Sequence, residues 1–350
     1  LLTDPTVLDI HVNGCDSVWV IRQGGEKSRC PAVAANDEQL REKIADYVRR
    51  VSRIERRFDR SNPIVDMQLP NGDRLNATFG ISRRPTMTIR RHNFSLSRLD
   101  QLRDLGSLSA EAALFLAAAV RSNRNIVISG GTGSGKTTLL RALIQEIPRG
   151  DRVITVEDSF ELGLSRLENA PQDLVEYEAR PANLEGVGEI SVAQLVKNSL
   201  RANPDRIIVG ECRGKETLGM VLAMSQGNDG SLTTLHADSS RNALSRIATY
   251  CAVFHDPPMD PSYTTGLIRD AVHFVVHLER RDGVRRVQSI REVDTMVEKE
   301  LLSTEVFSAN DQGLAVPANG ITGQRHKVAL QAAGFDTRLA SGAARLRVTR

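Results

Sequence analysis

Eight residues near the middle of the chain, Gly130, Gly131, Thr132, Gly133, Ser134, Gly135, Lys136 and Thr137, fit the pattern G-x-x-x-x-G-K-[ST] in full. The pattern constrains the fold because it works only where a strand enters and a helix leaves. Residues 125–128 (Asn-Ile-Val-Ile) read as the strand, and 138–143, opening on Thr138, as the helix. Glycines let the backbone curl so that successive N–H groups face phosphate oxygens, with a helix N-terminus behind them. Lys136 offers a point charge to the β- and γ-phosphates, and the Thr137 hydroxyl completes a Mg²⁺ shell. A chance Gly-rich turn is the competing reading, and the full motif in its strand–loop–helix context outweighs it.

Two downstream strands end in acids. Residues 153–156 (Val-Ile-Thr-Val) run into Glu157 and Asp158, and 207–210 (Ile-Ile-Val-Gly) into Glu211. In a parallel sheet the strand C-termini converge beside the loop, where an acid can hold the Mg²⁺ shell or polarise a water. Taken alone, either acid is also an ordinary turn residue. His236, in Thr-Thr-Leu-His-Ala-Asp, reads from spacing alone as a structural hydrogen-bonder before a catalyst. Arg83, Arg84, Arg90, Arg91 and Arg98 form a run with no acid between 83 and 98. That run is either a solvated face or a set of arginines that reach a nucleotide phosphate.

Around these motifs the texture changes along the chain. Residues 6–22 alternate and turn at Asn13-Gly14. Residues 38–58 take a helical period, with Leu40, Ile44, Tyr47, Val48, Val51, Ile54 and Phe58 among Arg49, Arg50, Arg53, Arg56 and Arg57. Strands at 64–69 and 74–81 flank Pro70-Asn71-Gly72-Asp73, and 86–91 adds another. This predicts an α+β domain over 1–95 and a linker over 96–106. Residues 107–306 follow as an α/β domain, with strands at 125–129, 153–156 and 206–209 and helices at 136–147, 192–200 and 241–253. Asp282-Gly283 marks a hairpin. Residues 307–350, rich in Gly, Ala and Asn, read as a weakly structured tail with one short helix.

Composition narrows the setting. With 40% hydrophobic and 25% charged residues, the chain is globular and not disordered. Forty-six basic against 43 acidic residues give no support for a dedicated nucleic-acid partner. That near-balance hides an asymmetry: 151–190 hold ten acidic and three basic residues, against a basic 41–60 and 83–98. Cys15, Cys30, Cys212 and Cys251 are too far apart in sequence for a C-x-x-C knuckle and suit a reducing compartment. The longest apolar run, 112–120, is about half the ~20 residues that span a bilayer. The chain opens on Leu1 without an initiator Met, which reads as a trimmed or processed start.

The ordered set resembles the ATPases of type II and type IV secretion and type IV pilus systems. The carriers are Gly-Gly-Thr-Gly-Ser-Gly-Lys-Thr-Thr at 130–138, Ile-Thr-Val-Glu-Asp at 154–158, the 200–214 run through Gly-Glu-Cys-Arg-Gly, and Thr-Thr-Leu-His-Ala-Asp-Ser at 233–239. They look like that family's Walker A, Asp box, Walker B and His box, in its order. Leu-Pro-Asn-Gly-Asp-Arg-Leu-Asn-Ala at 69–77 and Pro-Thr-Met-Thr-Ile-Arg-Arg at 85–91 look most like its CpaF-type branch, which drives tight-adherence (Flp) pili. The resemblance implies a RecA-like P-loop core with a parallel-rich sheet, preceded by a smaller α+β domain. It implies ATP and Mg²⁺, Glu211 polarising water and the Mg²⁺ shell, Glu157 as its acidic partner, and His236 at the γ-phosphate. It implies phosphate contacts from among Arg83, Arg84, Arg90 and Arg91. It also implies a cytoplasmic homohexamer docked on an inner-membrane platform protein. A nucleotide-gated scaffold with little turnover and a DNA-translocating motor are the alternatives.

Overall fold

The computed structural model describes the chain apart from residues 5, 23–24, 53–56, 92–95, 184, 298–299 and 343–350. Contacts divide it into two compact units, the first comprising Leu1–Ser95 with the short segments Ser159–Gly163 and Asn183–Glu185. In this first unit β1 (Val7–Asn13), β2 (Val18–Arg22), β3 (Lys27–Cys30), β4 (Ile64–Gln68), β5 (Arg74–Thr78) and β6 (Thr86–Arg90) form an antiparallel sheet. Its order is β3-β2-β1-β6-β5-β4. Helix α1 (Asp37–Val51) buries Leu40, Ile44 and Val48 in the core of this unit with Val18, Val20 and Leu75. The helix begins where Asn36 accepts from the Gln39 N–H at 2.8 Å while the Gln39 side chain accepts from the Ala35 N–H at 2.8 Å, a capping box one residue long on its N-terminal side. Asp37 and Glu38 in its first turn and Arg49 and Arg50 in its last complement the helix dipole. The helix expected to reach residue 58 stops at Val51, because Ser52 turns extended (φ −66°, ψ 130°) and Arg57 and Phe58 are not helical. Arg53, Ile54 and Arg56 lie outside the described residues, and Phe58 is buried in the same core.

The second unit carries α2 (Leu99–Asp104), α3 (Ala110–Arg121), β7 (Ile126–Gly130), α4 (Lys136–Ile144), β8 (Arg152–Glu157), β9 (Asp173–Glu178), α5 (Val192–Ser199) and β10 (Arg206–Cys212). It continues through α6 (Glu216–Ser225), β11 (Leu232–Leu235), α7 (Ser240–Val253), α8 (Pro261–Ala271), β12 (Phe274–Arg281), β13 (Val284–Val297), β14 (Glu300–Ala309), β15 (Ala315–Pro317) and α9 (Gln324–Ala332). Nine strands make one mixed sheet in the order β15-β14-β13-β12-β7-β11-β10-β8-β9, parallel from β12 to β9. Strand β7 lies centrally, and Ile126, Val127 and Ile128 are buried because helices cover both faces. One helical layer, α5 to α8, contributes Val196, Met220, Ile247 and Ile268 to the core. On the α3 side, the Phe115 ring meets those of Phe274, Phe307 and Phe335 at 5.0, 5.2 and 5.5 Å.

Asn125 fixes the start of β7. Its side-chain N–H groups reach the carbonyls of Met224 (2.9 Å) and Ala271 (2.7 Å) and the Asp229 carboxylate (3.0 Å). Its oxygen accepts from the Gly230 and Ser231 N–H groups, and its own backbone N–H donates to His273 Nδ1 at 2.8 Å. A wholly buried amide is thereby satisfied on every side, so the strand that ends in the glycine loop begins from a fixed point.

Two stretches expected to be irregular are built instead. Residues 96–106, read as a linker, hold α2, with Leu99 and Leu102 buried and Gln101 Oε1 accepting from the Ser97 and Arg98 N–H groups. Six residues are too few to show a helical period in sequence. Residues 307–342, read as a weakly structured tail, supply the end of β14, then β15, α9 and a 3-10 turn at Thr337–Ala340, with Phe307, Leu330 and Phe335 buried. Their order comes from distant partners. Glu292 on β13, fully buried, accepts from Thr322 N (2.7 Å), Thr322 Oγ1 (2.8 Å), Gly323 N (3.1 Å) and His326 Nδ1 (2.8 Å). Burial alone would raise its pKa, but the His326 and Thr322 donors outweigh burial and leave it lowered. Strands β3, β9 and β14 also go beyond the sequence reading. The β9 residues, Asp-Leu-Val-Glu-Tyr-Glu at the sheet edge, mix acids with apolar side chains without strict alternation, a pattern that also suits a solvated loop.

Candidate nucleotide-binding site

Between β7 and α4 the backbone turns through Gly133 (φ +71°) and Gly135 (φ +101°), left-handed geometry that side chains resist. Gly130 is required for a different reason: a Cβ there would sit 2.4 Å from the Leu278 carbonyl of β12 and 2.6 Å from Ser134 Oγ. Gly135 is the N-cap of α4, so the loop closes on the start of a helix whose first N–H groups lack intrahelical acceptors. The Ser134 hydroxyl is buried and has no hydrogen-bond partner among the described residues. Gly131 and Thr132 are exposed, and Thr137 and Thr138 stand half-buried in the first turn of α4.

Lys136 is buried and donates to the Gly130 and Gly131 carbonyls, both at 3.0 Å. Burial holds its pKa below the ordinary lysine value, with Glu211 pulling the other way. His236, at the end of β11, joins this lysine to the acid of the next strand. Its Nδ1 lies 3.4 Å from Lys136 Nζ and its Nε2 2.8 Å from Glu211 Oε1. Burial first, and Lys136 second, hold the imidazole below its usual pKa, so at neutral pH it is uncharged. In that form Nε2–H donates to Glu211 and the Nδ1 lone pair faces the lysine. Glu157 ends β8 in register with the neighbouring β10 and is buried; a Cβ on Gly210 would lie 3.2 Å from its Cγ. The sheet therefore sets Glu157 beside the residue that precedes Glu211. Lysine, imidazole and the Glu211 carboxylate meet where the parallel strands end, and Glu157 ends the strand next to that of Glu211.

The arginines expected to reach phosphate belong to the first unit, where Arg84, Arg90 and Arg91 are engaged with acids. Arg84 binds Asp37 (2.7 Å) and Asp16 (2.9 Å), Arg91 lies 3.4 Å from Asp73, and Arg90 pairs with Asp9 at 3.2 Å while remaining exposed. Arg83 is exposed and, with Arg60 and Phe79, lines a cavity of about 470 Å³ in that unit. Two further residues escaped the sequence reading. Arg213 clamps the second oxygen of Glu211 and lies 4.0 Å from Asp158; its place two residues past the acid was the available signal. Arg285, on the hairpin marked by Asp282-Gly283, donates to the Gly133 carbonyl at 2.9 Å.

The residues fit a nucleotide with Mg²⁺. An orphaned buried hydroxyl at Ser134, a lysine held only by loop carbonyls and a near imidazole, and a glycine cradle without Cβ atoms all suit phosphate oxygens. Thr137 and Glu211 are hard oxygen donors of the kind Mg²⁺ takes alongside phosphate. Among the described residues no three His, Cys, Asp or Glu cluster as a free-standing metal site, and no helix is long and apolar enough to cross a membrane.

The family model described as type II/IV secretion system protein matches residues 1–306. Conjugal transfer protein TrbB of Rhizobium radiobacter is 32% identical over 298 residues, covering 84% of this chain and 85% of that one. Type IV secretion system protein PtlH of Bordetella pertussis is 37% identical over 172 residues, 48% of this chain and 49% of its own. Among solved structures, the pilus retraction motor PilT with bound ADP superposes with a TM-score of 0.59 at 21% identity, covering 81% of this chain and 78% of that one. The Legionella pneumophila ATPase DotB gives 0.57 at 18%, covering 99% of this chain and 84% of that one. These two likenesses are of fold, a RecA-like α/β core with a parallel-rich sheet.

Proposed function

We infer the function from one premise: the chain belongs to the type II/IV secretion system protein family. On that premise the glycine loop takes ATP with Mg²⁺ and the acids behind it promote hydrolysis. Lys136 leaves the loop carbonyls for the β- and γ-phosphates, and Thr137 and Glu211 complete the Mg²⁺ shell. Glu211 polarises the attacking water with Glu157 as its acidic neighbour, and His236 contacts the γ-phosphate region. One observation carries this reading: the His236 ring lies 3.4 Å from Lys136 and 2.8 Å from Glu211, so a single imidazole links the phosphate-holding lysine to the water-activating acid.

Hydrolysis then drives a ring-shaped homo-oligomer, a hexamer, that works in the cytoplasm against an inner-membrane platform protein. The pilus retraction motor named in one structural neighbour and the secretion and transfer proteins among the relatives support a motor of this kind. The residues at 69–77 and 85–91 favour the tight-adherence pilus branch. A second reading, service in a conjugation apparatus, draws on the conjugal transfer relative that covers 84% of this chain.

The test is ATP turnover by the purified full chain with Mg²⁺. Glu211→Gln is expected to bind nucleotide while turnover falls about a hundredfold or more. Turnover equal to the parent would remove Glu211 from its role.

A further inference from the structure

The hairpin of β12 and β13 carries Arg280, Arg281, Arg285 and Arg286 around its turn. Two of these share a face. Arg280 and Arg285 are direct cross-strand partners, which places both side chains on one side of the ribbon. That side lies against the glycine loop: Arg285 Nε donates to the Gly133 carbonyl at 2.9 Å, and Arg285 Cδ comes within 3.4 Å of where a Gly135 Cβ would be. Leu278, two residues before Arg280, approaches the same point at 3.7 Å. Glu279 faces Arg286 on the opposite side of the ribbon and accepts from the Gln288 amide at 2.6 Å. Like charges set directly across an antiparallel pair oppose the pairing. An anion received between them reverses the sign. A guanidinium has five N–H donors in a rigid plane, so Nε on Gly133 leaves four for other acceptors.

We propose that Arg285 and Arg280 form a cationic fork at the outer edge of the loop that binds the phosphates of the nucleotide, Arg285 also fixing the loop through the Gly133 carbonyl. The proposal rests on the nucleotide reading of that loop. Both residues are in the same unit as the loop, so the fork completes the site in cis.

The test is titration of the full chain with a fluorescent methylanthraniloyl ATP at about 50 and about 200 mM salt, with circular dichroism as the check on folding. Arg285→Ala is expected to weaken binding about tenfold, the scale of one charge-assisted hydrogen bond. Arg285→Lys recovers only part of this, because one ammonium cannot hold a carbonyl and a phosphate in the same plane. Arg280→Ala weakens binding about threefold and flattens the salt dependence. Should Arg285→Ala fail to fold, Arg285→Gln takes its place. Parental affinity in the Arg285 variant, with Lys136→Ala having lost binding, overturns the fork alone. Parental affinity in both variants overturns the nucleotide reading, and the fork with it.

Discussion

At the scale of single residues, the site stores its charges in temporary partners. Lys136 rests on two loop carbonyls, and Glu211 is held by His236 and Arg213. Each contact is one that phosphate, Mg²⁺ or water can replace at similar distance. Away from the loop, His273 holds its Nδ1 lone pair on the Asn125 N–H, and burial pushes its pKa down to about 2. The folded chain keeps this ring neutral while the unfolded chain protonates it below about pH 6.5, so the unfolded state binds the extra proton. Stability is therefore full above about 6.5 and declines as pH falls through the window down to about 2. Between pH 7 and 5 the expected loss from this residue is about 2 kcal/mol. Urea unfolding at the two pH values, followed by circular dichroism, measures it, and His273→Asn should remove that part of the slope. Fluorescence would miss the effect, because the single tryptophan, Trp19, lies on β2 of the other unit.

Among the elements, legibility in the sequence followed locality. The glycine loop, β7, α4, β8 and β10 were readable because one short stretch carries both the apolar run and its punctuation. Glu157 and Glu211 stand out in the sequence because each directly follows such a run, whereas spacing alone makes His236 a structural hydrogen-bonder and only the family resemblance puts it at the site. Residues 307–342 hold the one short helix the sequence suggests, α9, but the rest of their order is illegible because nothing near it in sequence explains it. Its anchors are Glu292, some thirty residues upstream, and Phe115, on a helix far earlier in the chain. Arg285 was missed for the same reason: its partner, Gly133, is distant in sequence. The Glu292 anchor makes a sharp prediction at this scale. Glu292→Ala leaves the buried His326 ring without its acceptor and takes away the shared partner of Thr322 and Gly323, and the expected cost is about 3 kcal/mol. Limited proteolysis should then cut between β15 and α9 first, whereas a resistant segment would show that the Phe335 ring contact alone suffices to hold it.

For the whole molecule, the basic stretches at 41–60 and 83–98 prove to be partly neutralised within their own unit, through Asp46, Asp37, Asp16, Asp73 and Asp9. The proposed ring then depends on what charge is left exposed, such as Arg83 on one unit and the exposed acids of 151–190, Asp158, Glu168 and Asp173 among them, on the chain at large. Light scattering with ATP and Mg²⁺ should find an oligomer near six chains that loosens as salt rises from about 0.1 to 0.5 M, through screening. A monomer under all conditions would remove the ring. The sheet order has a consequence for biosynthesis. Ile126 of β7 pairs with Leu232 on one side and Phe274 on the other, both more than a hundred residues later. A ribosome that has just released the glycine loop has therefore made neither neighbour of the strand that carries it. The loop stays without its scaffold until β12 emerges, so under the proposed function nucleotide capture would come late in the making of this unit and would report that its sheet has closed.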